Sequence, residues 1–153
     1  MEIQYVLNKD NTATVTKIPD PEAVIRIPGA IDGHLVTALG SDIIPRGVKS
    51  RPREIHLPDT LCSIGSHALD DLRYLSKLTL PEGLAEIGNF GIFTCPDLTE
   101  LYIPASVRVF GRCAFGYMYE HGRAYPLHYF TLLCEPDSPA REFAQKNQIS
   151  WKE

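Results

Sequence analysis

Three prolines and three glycines recur along the chain with the same step of 23 residues: Pro58, Pro81, Pro104, Gly65, Gly88 and Gly111. Self-similarity at a fixed period of this size is typical of a solenoid. One unit of this length cannot bury its apolar side alone, so neighbouring units must stack and share a continuous core. The spacing therefore predicts a solenoid whose coils all follow one plan.

Each unit has the pattern of a short strand followed by a turn. Leu78 and Leu80 alternate with a polar residue, which is the period of a strand with one buried side. Pro81 has no amide hydrogen for a ladder and ends the strand. Ile87 returns to the core, and we expect Gly88 to allow a turn that a side chain would obstruct. About five coils should pair in parallel through strands centred on Ile25, Ile55, Leu78, Leu101 and Phe130.

Residues 75–88 and 98–115 follow the frame L-x-x-L-x-[LI]-P-x-x-[LV]-x-x-[IF]-G-x-x-A-F-x-x-C-x-x-L, and Cys95 occupies the cysteine position. This frame resembles the BspA-like leucine-rich repeat of bacterial proteins. The resemblance implies an α/β repeat solenoid, a right-handed leucine-rich repeat coil with parallel strands. It extends over nearly the whole chain, so residues 1–153 are expected to form a single leucine-rich repeat domain. A repeat frame indicates a fold specifically and a function only broadly.

Both ends of the chain depart from the repeat in ways that predict caps. Alternating apolar residues around the turn residues Asn8–Asn11 predict an N-terminal β-hairpin cap within residues 1–20. The coils then occupy residues 21–134. A C-terminal helical cap is predicted in residues 135–153, where Ser138-Pro139 has the pattern of a helix start. Terminal units of a solenoid shield the open ends of its core, so we expect both ends of the array to be capped.

Three segments break the 23-residue step. Five residues are inserted near Ile31–Val36, an apolar stretch that we interpret as an extension of the core. Two extra residues fall in Arg46–Arg53, where the charges favour a solvated loop and, as the alternative, a contact with an acidic partner. Six residues are inserted in Gly116–Pro126, which carries three tyrosines. The alternatives for this segment are local cover of the core and a protruding recognition loop.

The outward positions of the strands form the candidate binding surface. Strand alternation places one outward row at Arg26, His56, Thr79, Tyr102 and Thr131, and a flanking row at Glu54, Lys77, Glu100 and Tyr129. Tyrosine offers a large apolar area with a polar tip at low entropic cost, and arginine is also common in interfaces. The strand and loop tyrosines are expected to form one aromatic patch. Partner contact is therefore predicted at Tyr102, Tyr117, Tyr119, Arg123, Tyr125, Tyr129, His56 and Arg26.

No sequence motif indicates catalysis, a cofactor or a metal. The histidines belong to no zinc-protease motif, and neither a nucleophile elbow nor a phosphate-binding loop occurs. The four cysteines contain no C-x-x-C pair, which argues against a compact zinc site. A solenoid of this size needs no cross-links, so we expect free thiols, with disulfides between neighbouring coils as the alternative. Cys113 and His121 would act as nucleophile and base only with an orienting third group and a pocket. We therefore predict a protein that is not an enzyme.

Composition narrows the partners and the compartment. The formal net charge is −4 with scattered basic residues, which argues against nucleic-acid binding. No apolar run approaches the ~18 residues of a membrane span. The first residues lack the features of a signal peptide, which favours a cytoplasmic protein for the chain as it stands, whereas the resemblance implies the cell surface or secretion for a longer precursor. Two functions fit: a monomeric, non-catalytic module that binds a protein or glycan partner, and a structural spacer or assembly repeat without a specific ligand.

Overall fold

The structure is a computed structural model that describes residues 1–153. Each coil consists of short strands on three sides. About six coils stack, and equivalent strands of neighbouring coils form three rows. In chain order the strands are β1 (Gln4–Leu7), β2 (Ala13–Lys17), β3 (Val24–Arg26), β4 (Ala30–Ile31), β5 (His34–Leu39), β6 (Glu54–His56), β7 (Ser63–Ile64), β8 (Leu69–Asp70), β9 (Lys77–Thr79), β10 (Glu86–Ile87), β11 (Ile92–Phe93), β12 (Glu100–Tyr102), β13 (Val109–Phe110), β14 (Tyr117–Glu120), β15 (Arg123–Pro126), β16 (Thr131–Leu133) and β17 (Ser150–Lys152). A 3-10 turn covers Arg46–Val48, and one α-helix, α1, covers Pro139–Lys146. Parallel pairing between coils confirms the predicted solenoid, while helical structure is limited to these two segments.

The front row consists of β3, β6, β9, β12, β16 and β17, in this order along the solenoid. Each of these strands has three residues, and its central residue packs into the core: Ile25, Ile55, Leu78, Leu101, Leu132 and Trp151. The first four centres agree with the sequence prediction. The fifth is Leu132 instead of Phe130, and β17 is a sixth strand that the sequence did not predict.

The second row shows why glycine recurs at the corner of each coil. The row runs β1-β2-β5-β7-β10-β13, and Gly65, Gly88 and Gly111 follow its last three strands. A Cβ added at Gly65 would lie 2.6 Å from the Leu39 carbonyl oxygen of the preceding coil. A turn follows each of the three glycines, as predicted, and none of them has a positive φ, so an unusual backbone conformation is not the reason for glycine. Glycine is required because the coils approach each other too closely for a side chain.

The sharp bend itself falls two residues after each glycine. Asp42, His67, Phe90 and Cys113 occupy this position, and all have φ between 45° and 55°. These left-handed residues stack from coil to coil, and the His67 and Phe90 rings lie 4.9 Å apart. The corner is thus built from a glycine for close approach and a neighbouring residue for the turn.

The N-terminal hairpin cap is confirmed. β1 and β2 are antiparallel, and the Asn8 amide donates to the Thr12 carbonyl oxygen at 2.8 Å across the turn. Asn11 takes the positive φ of 68° that this turn needs. Since β2 also pairs in parallel with β5, the hairpin caps the array by extending the second row.

The first insertion forms a second small hairpin instead of the predicted core extension. β4 and β5 are antiparallel around Asp32 and Gly33, which have φ of 51° and 81°, as a two-residue hairpin turn requires. Val36 is fully buried, but Leu35 is 54% exposed. The interpretation as core extension therefore holds for Ile31 and Val36 at the two ends of the segment and is wrong for Leu35 and the turn between them.

The C-terminal helical cap is also confirmed. The Ser138 side chain accepts a hydrogen bond from the Arg141 amide at 3.3 Å, and Pro139 occupies the first turn of α1. Phe143 on α1 packs against Phe110 and Phe115, with ring centroids 5.0 Å apart in both pairs. This helix covers the apolar end of the last regular coil.

No helix in the structure is long and apolar enough to cross a membrane.

Candidate functional site

The front row places the predicted outward residues in register, with one exception. Arg26 is paired with His56, and His56 with Thr79, across β3, β6 and β9. Beside Tyr102 on β12, however, lies Leu133 on β16, followed by Lys152 on β17. Thr131 pairs with Glu100 in the flanking row. The predicted position of Thr131 is therefore wrong by two residues, and sequence reasoning missed Leu133.

The shift in register arises in the turn that precedes β16. The Leu98 amide donates to the Cys95 carbonyl oxygen at 3.1 Å, and the Phe130 amide makes the equivalent bond to Leu127 at 3.3 Å. Phe130 thus occupies the position of Leu98, where it is buried, and is not a strand centre. Tyr129 consequently lies in this turn, 55% exposed, and not in the flanking row.

The hydrogen-bonded ladder of the front row is interrupted once. β3, β6 and β9 form one three-stranded sheet, and β12, β16 and β17 form another. β9 and β12 contact each other without belonging to the same sheet. The prediction of one continuous ladder is therefore wrong at this step, although the outward surface continues across it.

An apolar pair surrounded by charges occupies the second half of the front row. Tyr102 is 39% exposed and its neighbour Leu133 is half-buried. Glu100 pairs with Lys152 at 3.3 Å across the intervening strand. Burial, followed by the nearby carboxylates of Glu82 and Glu135, raises the pKa of Tyr102. The Tyr102 hydroxyl therefore stays protonated at neutral pH and can donate to an acceptor.

Charged residues fill the first half of the same surface. His56 Nε2 lies 2.5 Å from Glu54 Oε1, so these two outward side chains hold each other in place. Arg26 is exposed at the first strand and forms no salt bridge. Lys77 and Thr79 are exposed between this end and Tyr102. The front row therefore changes from charged to partly apolar along the solenoid axis.

The inserted segment 116–126 is a β-hairpin, here called the tyrosine hairpin. β14 and β15 are antiparallel around His121 and Gly122, whose φ values of 53° and 82° fit a two-residue turn. Tyr117 of β14 pairs in parallel with Phe93 of β11, so the hairpin extends the third row, β8-β11-β14-β15. The segment thus protrudes from the coil as a regular element.

The hairpin register separates its tyrosines. Tyr119 lies opposite Ala124, and Tyr125 lies opposite Met118, so Tyr119 and Tyr125 point to opposite faces. Arg123 shares the face of Tyr125. No ring contact or hydrogen bond joins Tyr102 to these side chains. The single aromatic patch expected from the sequence is therefore divided.

Each tyrosine of this region has a different environment. The Tyr117 hydroxyl donates to Asn147 Oδ1 at 3.1 Å and connects the hairpin to the end of α1. Tyr119 is 51% exposed, and its backbone amide donates to Thr94 Oγ1 at 3.0 Å. The Tyr125 hydroxyl donates to Glu120 Oε2 at 2.6 Å, and this bond is the main cause of the raised pKa of Tyr125. A smaller contribution to that pKa comes from Tyr129.

The structure assembles no recognisable catalytic or metal centre. No group of three or more histidine, cysteine or acidic side chains could hold a metal ion. Cys113 lies at the corner after β13 and His121 at the hairpin tip, and no hydrogen bond connects them. All four cysteines are free, and burial raises the pKa of the Cys95 thiol to about 12.

Comparison with known proteins finds one matching sequence family and several solved structures with a similar fold. The family described as "BspA type Leucine rich repeat region (6 copies)" matches residues 49–122. A leucine-rich repeat protein from Bacteroides capillosus is 25% identical, with a TM-score of 0.65 over 78% of this chain and 94% of that chain. No curated protein matches the chain.

Two further solved structures are similar in fold alone. The leucine-rich repeat protein of T. pallidum is 20% identical, with a TM-score of 0.61 over 86% of this chain and 68% of that chain. A leucine-rich repeat protein from Bacteroides ovatus is 20% identical, with a TM-score of 0.59 over 90% of this chain and 40% of that chain.

Proposed function

The chain is a BspA-type leucine-rich repeat protein, and on this premise we propose that it is a monomeric, non-catalytic module that binds a protein partner through its front row. Repeats of this family are typically interaction or structural modules. The proposal includes no enzymatic activity, cofactor or nucleic acid. Its central contact is the Tyr102–Leu133 pair.

The exposed apolar pair within a charged strand surface is the observation that supports binding. Binding energy in interfaces concentrates in a few central aromatic or apolar residues that a polar rim surrounds. Tyr102 and Leu133 are side by side, and Glu100, Lys152 and Lys77 supply charges around them. This arrangement favours a protein partner over a glycan, because half of the contact is aliphatic.

The front row alone is too small for a stable protein–protein interface, so neighbouring elements must contribute to the contact. Six strands at a spacing of about 4.8 Å span about 24 Å, and three residues extend about 10 Å, which gives an area on the order of 240 Å². A stable interface takes roughly 800 Å² from each partner. Tyr129 lies just before β16, and Tyr125 precedes it by four residues, in β15. We therefore include Tyr129, Tyr125 and Arg123 in the proposed contact.

Two hairpin tyrosines have other roles in this proposal. Tyr117 is held by Asn147 and fixes the hairpin to the C-terminal cap. Tyr119 points to the opposite face from Tyr125 and lines a cavity with Phe93 and Thr94. Tyr119 is therefore a matched control: it is an exposed tyrosine of the same hairpin that the proposed partner does not reach.

Affinity capture with paired variants tests the proposal. Immobilised wild-type protein is compared with Tyr102→Ala and Tyr119→Ala in capture from cell extract, followed by Kd measurement for each captured partner by biolayer interferometry. We expect Tyr102→Ala to weaken binding at least tenfold, in line with a central contact residue. Tyr119→Ala should leave the Kd within about twofold of wild type. Equal effects of the two variants, with urea melts showing both folded, would contradict the proposal.

A structural spacer or assembly unit is the second candidate. The observation in its favour is that β3 and β17 each have one unpaired edge, at opposite ends of the front row. Open strand edges can pair with another chain. In this case Tyr102→Ala would change nothing, and sedimentation would show self-association that depends on protein concentration.

A further inference from the structure

The third row lacks a strand in the first full coil, next to Pro45. The ladder begins normally, since the Asp42 amide donates to the His67 carbonyl oxygen at 3.0 Å. After Pro45 the chain leaves the row, and Arg46–Val48 form a 3-10 turn instead. A polar pocket of about 660 Å³ lies beside this break, between the 3-10 turn and Asp70 of β8.

Lys49 already occupies the strand edge that borders this pocket. Its Nζ donates to the Asp70 carbonyl oxygen at 2.6 Å and lies 3.2 Å from Asp42 Oδ1. The Lys49 side chain is only 14% exposed. The Lys49 ammonium group occupies the Asp70 carbonyl oxygen, which is the acceptor that an added strand would use. A polypeptide ligand in the pocket must therefore bind through the ligand's side chains and not by strand addition.

The acidic side chains of the pocket also have internal partners. Asp42 pairs with Lys49, and Asp70 Oδ2 lies 2.9 Å from His67 Nδ1. Asp71 Oδ1 accepts from Arg73 Nε at 2.8 Å. Much of the negative charge around the pocket is therefore compensated within the protein.

Two cations remain without a partner at the pocket wall. Lys17, at the end of β2, and Arg46, in the 3-10 turn, both line the pocket, and neither forms a salt bridge or a side-chain hydrogen bond. The other basic residues of the 46–53 loop are engaged. Arg51 pairs with Asp20, and Arg53 donates to the Ser50 carbonyl oxygen at 2.6 Å while its guanidinium lies over the Tyr74 ring.

We infer that the pocket between Lys17 and Arg46 binds a carboxylate side chain from an acidic segment of a protein partner. Arginine presents a planar fork that fits a carboxylate, and Lys17 adds a second positive charge. The three aspartates of the pocket disfavour a dianion such as phosphate more strongly than a single carboxylate, because repulsion grows with charge.

The shape of the surface indicates a polypeptide and not a small acid. Asp70 and Asp71 also line an adjoining cavity of about 350 Å³, which continues towards Thr94. The two cavities together follow the third row across several coils, so an extended segment can lie along them with its carboxylate between Lys17 and Arg46. This inference concerns a different side of the solenoid from the front row and does not rest on the proposed function.

Titration of the full chain with hexaglutamate tests the inference. Backbone amide NMR shifts are followed for wild type and for the double variant Lys17→Gln/Arg46→Gln at low salt. The control is Lys9→Gln/Arg108→Gln, which removes the same charge from two exposed residues outside the pocket. We expect shifts at residues 42–49 and 70–73, and a Kd about fivefold weaker for the pocket variant, as two exposed ion pairs would account for. The control should stay within about twofold of wild type.

Three outcomes would overturn the inference. One is an equal loss of affinity in the pocket variant and the control, which would indicate net charge alone. Another is an identical set of shifts with inorganic phosphate at the same concentration, which would indicate an adventitious ion only. The third is tighter binding of hexalysine than of hexaglutamate, which would show that the aspartates dominate the pocket.

Discussion

Replacing Gly111 by alanine tests the reason for the glycines at the coil corners. A Cβ at this position would lie 2.2 Å from the Asn89 nitrogen and 2.5 Å from the Gly88 carbonyl carbon. Favourable contacts between heavy atoms occur at about 3.5–4.0 Å. Two of the three nearest obstacles are backbone atoms of the preceding coil and the third is Asn89 Oδ1, and an alanine side chain has no rotamer with which to avoid them. The two coils would have to separate locally.

This separation would strain two hydrogen bonds at the corner. The Gly111 amide donates to the Ile87 carbonyl oxygen, and the Arg112 amide donates to Asn89 Oδ1, both at 2.8 Å. Overpacking costs about 1–3 kcal/mol, and a polar group left without its partner costs a similar amount. We therefore expect Gly111→Ala to lower the free energy of unfolding by about 3 kcal/mol.

Urea denaturation followed by circular dichroism measures the effect, with Gly83→Ala as the matched control. The nearest atom to a Cβ at Gly83 is the Asp59 carbonyl oxygen at 3.7 Å, an ordinary contact. Gly83→Ala should leave the stability unchanged or raise it by up to ~1 kcal/mol, because alanine restricts the unfolded chain. If the two variants differ by less than ~0.5 kcal/mol, close approach of the coils is not why glycine occurs here.

Three further predictions concern the core, the hairpin and the thiols. Leu80→Ala should lower the free energy of unfolding by about 2–5 kcal/mol in urea melts, since Leu80 is buried; a loss under ~1 kcal/mol would exclude it from the core. Tyr117→Phe should cost about 1 kcal/mol in the same assay, because the Asn147 bond is lost, and should leave partner affinity unchanged. Iodoacetamide at pH 8 should alkylate exposed Cys62 first and Cys95 only after unfolding, as burial raises the pKa of Cys95 to about 12; peptide mass spectrometry detects early labelling of Cys95 if this is wrong.

The regular coils and both caps were predictable because their signals are local. Alternation around Thr79 and the proline after each strand mark the strands directly, and the frame repeats them. Asn8–Asn11 and Ser138-Pro139 are turn and helix-start signals that act within a few residues. For these segments a single coil contains the information that decides its structure.

The last front strand was predicted incorrectly because two changes of length with opposite signs combine to a net insertion of eight residues, and not the six that were predicted. Leu127 follows Cys95 by 32 residues, nine more than the period, whereas Phe130 precedes Leu132 by two residues where Leu98 precedes Leu101 by three. Counting along the sequence detects only the sum of the two changes. Phe130 is also apolar enough to suit either a turn or a strand centre, so composition does not decide between them. The spacing of Leu127 and Phe130, equal to that of Cys95 and Leu98, was the available signal.

The glycines illustrate a second limit of sequence reasoning. A glycine is compatible with a positive φ and with close approach, and only the distance between coils separates the two. That distance depends on stacking, which the sequence of one coil does not contain. The structure assigns the positive φ to residues such as His67 and Phe90, which have no glycine-like signal.

The tyrosine hairpin combines a predictable element with an unpredictable consequence. His121-Gly122 between alternating residues is typical of a two-residue hairpin turn, so the hairpin could have been predicted from the sequence. Its pairing then fixes which side chains share a face, and this divides the tyrosines. Composition alone had placed them together as one surface.

The base of the hairpin explains why this is the place where an insertion is tolerated. The Leu127 amide donates to the Gly116 carbonyl oxygen at 2.9 Å, so the chain leaves and re-enters the coil across a single hydrogen bond. Gly116 has a φ of 75°, and its hydrogen side chain leaves room for Phe130, whose ring lies 3.1 Å from the position of a Cβ. Below this bond, Leu127 and Phe130 restore the packing of a regular coil. Residues of the hairpin beyond this bond, such as Arg123, can therefore be substituted without disturbing the core. For this reason, the outer hairpin and the front row are the parts of the protein where substitutions can change partner specificity at the lowest cost in stability.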